Sequence, residues 1–346
     1  MRVADTVADL TPDFLAAALG LDVVAVDAER VGTGQIGATY RLTIGYADGV
    51  AGPARLIAKL AAENDEARGR VAEGYRKEVG FYTDLAPTVT IASPRCWYGA
   101  IADDLHTFTL LLDDLAPAVP GVQAQACTPA AAEAAVRNLV GLHAPRWNDP
   151  GLKVLDFLGP ADAPGDFLGA IHVEATGQFV ERYAGVLDAA DVDTLRRAAD
   201  ATAAWYTTRV DHFSLVHGDY RLDNLMFHPD GGVSAVDWQT LSVGPALRDV
   251  AYFLGTSLSV DDRRAHEARL VAQYHDALVA AGVRDYDASR AFDDYRLGQL
   301  QAPVITVLGC EYATAERTVA ADEMFLAMAR RSCAAIRDLG SIDLVG

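Results

Sequence analysis

The strongest constraint on the fold is a change of pattern part-way along the chain. Before it, apolar residues recur with period two: Val31, then Tyr40, Leu42 and Ile44, then Leu56, Ala58 and Leu60, separated by Gly and Asp turns. That spacing belongs to strands that bury one face. From Thr128 onward, Ala-rich segments at helical spacing take over, at 128–143, 179–186, 194–210, 261–281 and 315–338. Thr11 and Pro12 predict the N-cap and first position of a short helix ending near Gly20. One helix over 66–85 interrupts the strands, and two further strands are predicted near 95–98 and 107–112. Strands first and helices after predict an α+β protein of two lobes. The expected division is a β-rich lobe over 1–112, a connector over 113–121 and a mainly helical lobe over 122–346.

Composition narrows the function classes. With 51% hydrophobic and 22% charged residues among 346, the chain is not disordered, collagen-like or a coiled coil. Its 29 basic residues are outnumbered by 48 acidic ones, a net charge of −19, and they are scattered, which argues against a nucleic-acid partner. An acidic surface could attract a cationic substrate, and solubility explains it at least as well. Cys96, Cys127, Cys310 and Cys333 form no CxxC pair, and no HExxH is present, so neither a disulfide scaffold nor a structural zinc is expected. Asp5, Asp9 and Asp13 break any apolar run at the N-terminus, and no stretch of some 18 apolar residues follows. A soluble, cytoplasmic protein without membrane segments is the expectation.

Three segments carry candidate chemistry. Gly32-Thr33-Gly34-Gln35-Ile36-Gly37 fits GxGxxG, a weak signal alone. A dinucleotide-binding fold needs a helix to start at these glycines, whereas Ala38 to Ile44 alternates like a strand. A glycine turn between strands can fold over nucleotide phosphates, and an ordinary hairpin loop accounts for it equally. Next, Lys59 interrupts the apolar run Leu56-Ile57-Ala58-Lys59-Leu60. Lysine there is commonly an edge-strand gatekeeper. On the helix that follows, however, Glu78 falls inside the stripe made by Val71, Tyr75, Tyr82 and Leu85. A carboxylate on an apolar face is costly unless a cation meets it, and Lys59 is the nearest candidate.

The third segment, His217-Gly218-Asp219-Tyr220-Arg221-Leu222-Asp223-Asn224, leads into two apolar runs joined by Pro229-Asp230-Gly231-Gly232 and ending at Asp237. The turn predicts an antiparallel hairpin. If 228 pairs with 233, Asn224 falls opposite Asp237, where an amide oxygen and a carboxylate could share a magnesium ion. Asp219 then has the placement of a carboxylate that orients or deprotonates a hydroxyl. Turn formation, helix capping and core packing explain these residues one at a time. Their joint occurrence, in order after a glycine turn, a strand lysine and a helix glutamate, is what points to function.

The set resembles the aminoglycoside phosphotransferase and choline kinase group of protein-kinase-like enzymes, including the ecdysteroid kinase-like branch. The resemblance runs through GTGQIG at 32–37, Lys59, Glu78, LLLDDL at 110–115, LHAPRW at 142–147, HGDYRLDN at 217–224, VDWQ at 236–239 and RDVAYFL at 248–254. It implies that ATP or GTP lies between the lobes under Gly32, Gly34 and Gly37. Lys59 would hold its phosphates and Glu78 would orient Lys59. Leu112 would flank the base, with the Asp113 carbonyl and Leu115 NH on its edge. Asp219 would be the catalytic base, Asn224 and Asp237 would bind Mg2+, and Asp249 and His217 would brace the loop.

The metal Asp is followed by Trp238-Gln239 instead of Phe-Gly, and no APE-type segment follows, so a small-molecule hydroxyl acceptor is implied instead of a protein. An aminoglycoside-like antibiotic is the first expectation for it. The apolar run 302–308 instead suggests a less polar alcohol such as a steroid or macrolide, and a choline-like alcohol is a further alternative. A Rossmann-type oxidoreductase explains only the glycines. A nucleotide-binding pseudoenzyme would be expected to have lost Lys59, Asp219 or Asp237, and all three are present.

Overall fold

Residues 2–31, 37–159, 165–312 and 317–345 are described in this computed structural model, residues 65–67 by their backbone alone. They divide into two compact units. The first takes Met1–Thr88, Ser93–Pro117 and Val236–Thr240; the second takes Val89–Ala92, Ala118–Ala235 and Leu241–Gly346.

The first unit opens with α1 (Pro12–Leu19), started by the Thr11 hydroxyl accepting from the Phe14 NH at 3.2 Å and stopped by Gly20 at φ +67°. Its sheet consists of β1 (Val23–Arg30), β2 (Gly37–Tyr46), β3 (Arg55–Ala61), β4 (Cys96–Ile101) and β5 (Phe108–Asp113) in the order β1-β2-β3-β5-β4, each pair antiparallel. The first strand thus runs over 23–30, earlier than the Val31 position expected from the alternation. Leu42, Leu56, Ala58, Leu60 and Leu111 join Phe14 and Leu15 of α1 in one core. Period two therefore sends Ile57 and Lys59 to the other face of β3.

α2 (Asp65–Gly80) ends five residues before the helix expected over 66–85, and Phe81–Leu85 continue as a π-helical turn. Tyr75 on α2 packs on Phe108 of β5, ring centroids 4.6 Å apart, and its hydroxyl accepts from the Ala62 NH at 2.9 Å. These contacts fix the helix to the sheet.

The second unit is built from α3 (Pro129–His143), α4 (Gly165–Arg182), α5 (Ala189–Thr207), α6 (Leu247–Ser257), α7 (Val260–Ala280), α8 (Ala288–Gly298), α9 (Gln301–Tyr312) and α10 (Val319–Leu339). Short strands β6 (Val119–Pro120), β8 (Leu225–Phe227) and β9 (Val233–Ala235) make one small sheet, and β7 (Ser214–Val216) with β10 (Ser242–Gly244) another. The helix expected over 179–186 is the end of the longer α4, which stops at Arg182 before a turn that holds Gly185 at φ +80°. No helix of the described residues is long and apolar enough to cross a membrane.

His172 of α4 is fully buried, its Nδ1 2.7 Å from the Thr202 hydroxyl on α5, and burial pushes its pKa down to about 4. In the unfolded chain it titrates near its ordinary value of about 6.5. Between those pH values the unfolded state binds the extra proton, so stability falls as pH drops from about 6.5 to 4, by about 3 kcal/mol in total. Denaturant midpoints of wild type and His172→Gln should converge across that window. A constant difference would remove His172 from the acid response.

Candidate active site

In the first unit, β3 and α2 bring Lys59 and Glu78 together. Lys59 pairs with Thr39 on one side and Leu110 on the other, deep within the sheet, so it does not guard an edge. Its Nζ lies 2.5 Å from Glu78 Oε1, with Glu78 fully buried. Burial works against the ammonium, and the attraction of Glu78 and Asp237, with the Glu78 hydrogen bond, outweighs it, so the Lys59 pKa is held above its ordinary value.

The segment after Asp237 is fastened to the same helix. Gln239 Nε2 donates to Glu78 Oε2 at 3.2 Å, and Trp238 stacks on Phe81 of the π-helical turn, centroids 3.4 Å apart and planes 9° from parallel. The Trp-Gln pair, read from the sequence only as a departure from Phe-Gly, thus supports Glu78 directly. Asp237 itself has φ +67°, a left-handed conformation that Asp and Asn tolerate better than most residues.

Glu78→Gln is accommodated by the same neighbours, because a rotated Gln239 amide can accept where it now donates. We expect an unchanged fold and a nucleotide KM raised about tenfold, the loss of one charge-assisted contact of about 1.4 kcal/mol. An unchanged KM would show the pair to be incidental.

β2 begins as a strand at Gly37, and a Cβ there would lie 2.7 Å from the Leu60 carbonyl oxygen, which explains the glycine. Gly32 and Gly34 lie outside the described residues. Leu112 is buried in β5, opposite Ile57 and Cys96. The Asp113 NH donates to the Arg95 carbonyl at 2.9 Å, and its side chain accepts from Trp97 Nε1 at 2.7 Å. Leu115 is partly exposed. Beside it, Asp114 accepts from Arg41 Nε at 2.9 Å, tying this end of the unit to β2.

In the second unit, the segment after β7 is set by Asp249, in the first turn of α6. Its buried carboxylate accepts the backbone NH groups of His217 at 2.6 Å and Gly218 at 3.0 Å, and His143 Nε2 lies 3.3 Å away. Gly218 adopts φ +83°, conformational room that a side chain would deny. Asp219 is thereby presented with its side chain 20% exposed. Oδ1 accepts from the Tyr252 hydroxyl at 2.6 Å; Oδ2 accepts from Arg221 Nε at 3.1 Å and Asn224 Nδ2 at 3.0 Å.

Tyr252 and Arg221 were not singled out by the sequence. Tyr252 lies three residues after Asp249, on the same face of α6, a phase that would have exposed it once Asp249 was assigned to the loop.

One premise is corrected. The hairpin pairs Leu225 with Ala235, Met226 with Ser234 and Phe227 with Val233, one residue out of the expected register, and ends before Asn224 and Asp237. Gly231 at φ +86° closes the turn early, with the His228 NH bonded to the Gly232 carbonyl at 2.9 Å. Ladder pairing therefore does not set Asn224 against Asp237; Asn224 belongs to the second unit and Asp237 to the first. Asn224 instead commits its amide nitrogen to Asp219, donating also to the Asp219 carbonyl at 2.9 Å, so its oxygen is the group that could meet a cation.

A family model described as the phosphotransferase enzyme family matches residues 27–292. The chain belongs to this family. It has a β-sheet lobe and a helical lobe of the kinase-like type. Among solved structures it is similar to a macrolide 2'-phosphotransferase type I, 18% identical with TM-score 0.51, over 95% of this chain and 97% of that one. It is also similar to an ethanolamine kinase of Plasmodium vivax, 11% identical with TM-score 0.53, over 88% and 82%. At such identities the likeness is one of fold.

Curated relatives match over short stretches. Acyl-CoA dehydrogenase family member 10 of Mus musculus is 46% identical over 46 residues, covering 13% of this chain and 4% of that protein. Family member 11 of Gallus gallus is 35% identical over 74 residues, covering 18% and 10%. The chain thus spans a small part of the length of these relatives.

Proposed function

We propose that this phosphotransferase moves the γ-phosphoryl group of ATP or GTP to a hydroxyl of a small molecule, with Asp219 as the general base and Lys59 on the nucleotide phosphates. The observation that carries the reading is the hold on Asp219: three donors from Tyr252, Arg221 and Asn224 aim a partly exposed carboxylate that keeps further lone pairs for an incoming hydroxyl. Glu78 keeps Lys59 charged and in place, which is what a polyphosphate requires of it. Gly32, Gly34 and Gly37 are proposed to cover the phosphates, and Leu112, the Asp113 carbonyl and the Leu115 NH to receive the base.

Mg2+ is proposed as the cation that accompanies the nucleotide. Among the described residues no three His, Cys, Asp or Glu side chains cluster as a closed metal site. The Asn224 amide oxygen and the Asp237 carboxylate are the hard, sparse ligands magnesium takes when phosphates and water complete its shell. Bound there, it would neutralise phosphate charge. The chain's own part is to hold the phosphates through Lys59, to orient the acceptor hydroxyl and to take its proton on Asp219.

The test is phosphate transfer by purified protein with MgATP and MgGTP. The acceptors are aminoglycosides, macrolides, choline, sterols and hydroxyacyl-CoA esters, the last because the curated relatives are named for acyl-CoA. Labelled phosphate recovered on an acceptor hydroxyl supports the reading. Nucleotide binding without transfer to any of them would return the chain to the class of nucleotide-binding modules.

A further inference from the structure

We propose that the acceptor's proton goes to one particular oxygen of Asp219, Oδ1, and that Tyr252 is the positioning residue that holds this oxygen in place; the inference rests on Asp219 being the base. The donors load the two oxygens unequally. Oδ2 accepts from Arg221 Nε at 3.1 Å and from Asn224 Nδ2 at 3.0 Å. A carboxylate carries about four lone-pair sites, shared evenly between its oxygens, so Oδ2 is filled. Oδ1 accepts from the Tyr252 hydroxyl at 2.6 Å and, among the described residues, from no other group. The place for an incoming hydroxyl is therefore on Oδ1, beside the phenol oxygen.

The donors also differ in origin. Arg221 and Asn224 follow Asp219 in the same loop and travel with it. Tyr252 reaches in from α6, 33 residues along the chain. One turn earlier on that helix, Asp249 accepts the NH groups of His217 and Gly218. From the start of α9, the buried Gln301 amide donates to the Gly218 carbonyl at 3.0 Å. The loop backbone is thus fixed without Tyr252. With Oδ2 held at one point the carboxylate plane can still pivot, and Tyr252 is the contact that stops Oδ1 from swinging.

The phenol is suited to this task. Tyr252 is fully buried and packs with Ala302, Met328, Ile305 and Met324, which fixes its ring. Burial, then the charge of Asp219, holds its pKa well above the ordinary value, so the donor stays protonated. During transfer the acceptor's O–H proton passes to Oδ1 as the acceptor oxygen bonds to the γ-phosphorus. The bond from that phosphorus to the bridging oxygen breaks, and its electron pair leaves on the nucleoside diphosphate. Oδ1, once protonated, still has the lone pair that Tyr252 uses.

Two measurements on full-length protein test the assignment. The first is a crystal structure with MgADP or MgGDP and aluminium fluoride, in which water stands for the acceptor hydroxyl. The water in line with the fluoride group should lie within about 3 Å of Oδ1 and outside hydrogen-bond distance of Oδ2. The second is kinetic. Tyr252→Phe keeps the packed ring and removes only the hydroxyl. Turnover is read as phosphate passed from MgATP or MgGTP to water, or to the acceptor found in the panel. The variant's kcat should fall about 10- to 100-fold, with the nucleotide KM within about twofold of wild type. A merely structural hydroxyl would lower the melting temperature and leave the kcat of the folded protein where it was.

A water bound to Oδ2 or to neither oxygen, an unchanged kcat in Tyr252→Phe, or a kcat lost together with nucleotide binding overturns the proposal. If Tyr252→Phe does not fold, the place of the water decides alone. The two levels separate in the wild type. A protein that passes phosphate neither to water nor to any acceptor would sink the phosphotransfer reading and this inference with it, whereas transfer that survives Tyr252→Phe sinks the inference only.

Discussion

Asp219→Asn should lower turnover by about 10² to 10⁴ while nucleotide affinity stays nearly unchanged. The substitution keeps the shape of the side chain. The remaining carbonyl oxygen can still accept from Arg221 and Asn224, and the new amide can donate to the Tyr252 oxygen, so the loop has no cause to move. What is lost is the site for the acceptor's proton. Rapid-mixing kinetics on the variant, beside a direct nucleotide titration, separates the two effects. Normal turnover would leave the His217-Gly218-Asp219 segment a turn and nothing more.

Asp237→Ala should bring magnesium-dependent turnover to background, a loss on the order of 10³ or more, and weaken MgATP binding. Two effects combine. A carboxylate proposed for the metal disappears, and Lys59 loses one of the attractions that keep its ammonium favoured against burial. The left-handed backbone of Asp237 adds a confounding strain when alanine replaces it, of about 1 to 2 kcal/mol. Asp237→Asn tolerates that backbone and should lose activity to a similar degree without the drop in melting temperature. Activity at elevated Mg2+ equal to wild type in both variants would remove Asp237 from the metal role.

Much of the site was legible because charge stood where pattern forbade it. Lys59 broke an apolar strand and Glu78 an apolar helix stripe, and each anomaly pointed at the other. The alternating strands and the Ala-rich helices announced an α+β chain for the same reason, since period separates them. Tertiary return was not legible. Nothing in Trp238-Gln239 says which helix it will meet, because that depends on the path taken after β9. Hairpin register failed by one residue, since it turned on whether Gly231 would adopt a left-handed conformation, a choice that composition permits without dictating. Arg221 and Tyr252 escaped notice because a tyrosine in an apolar helix and an arginine in a charged loop violate no pattern.

The return of residues 236–240 to the first unit bears on how the protein can be dissected. An expressed fragment ending at Pro117 would contain the whole five-stranded sheet and both its helices, and would look complete when its strands are counted. It would lack Trp238, leaving the face of Phe81 bare, and Gln239, leaving one oxygen of a buried carboxylate unanswered beside Lys59. Such a fragment should be poorly soluble and bind nucleotide badly even with every strand intact. Supplying the missing pentapeptide through a short linker is the edit that would turn it into a usable reagent.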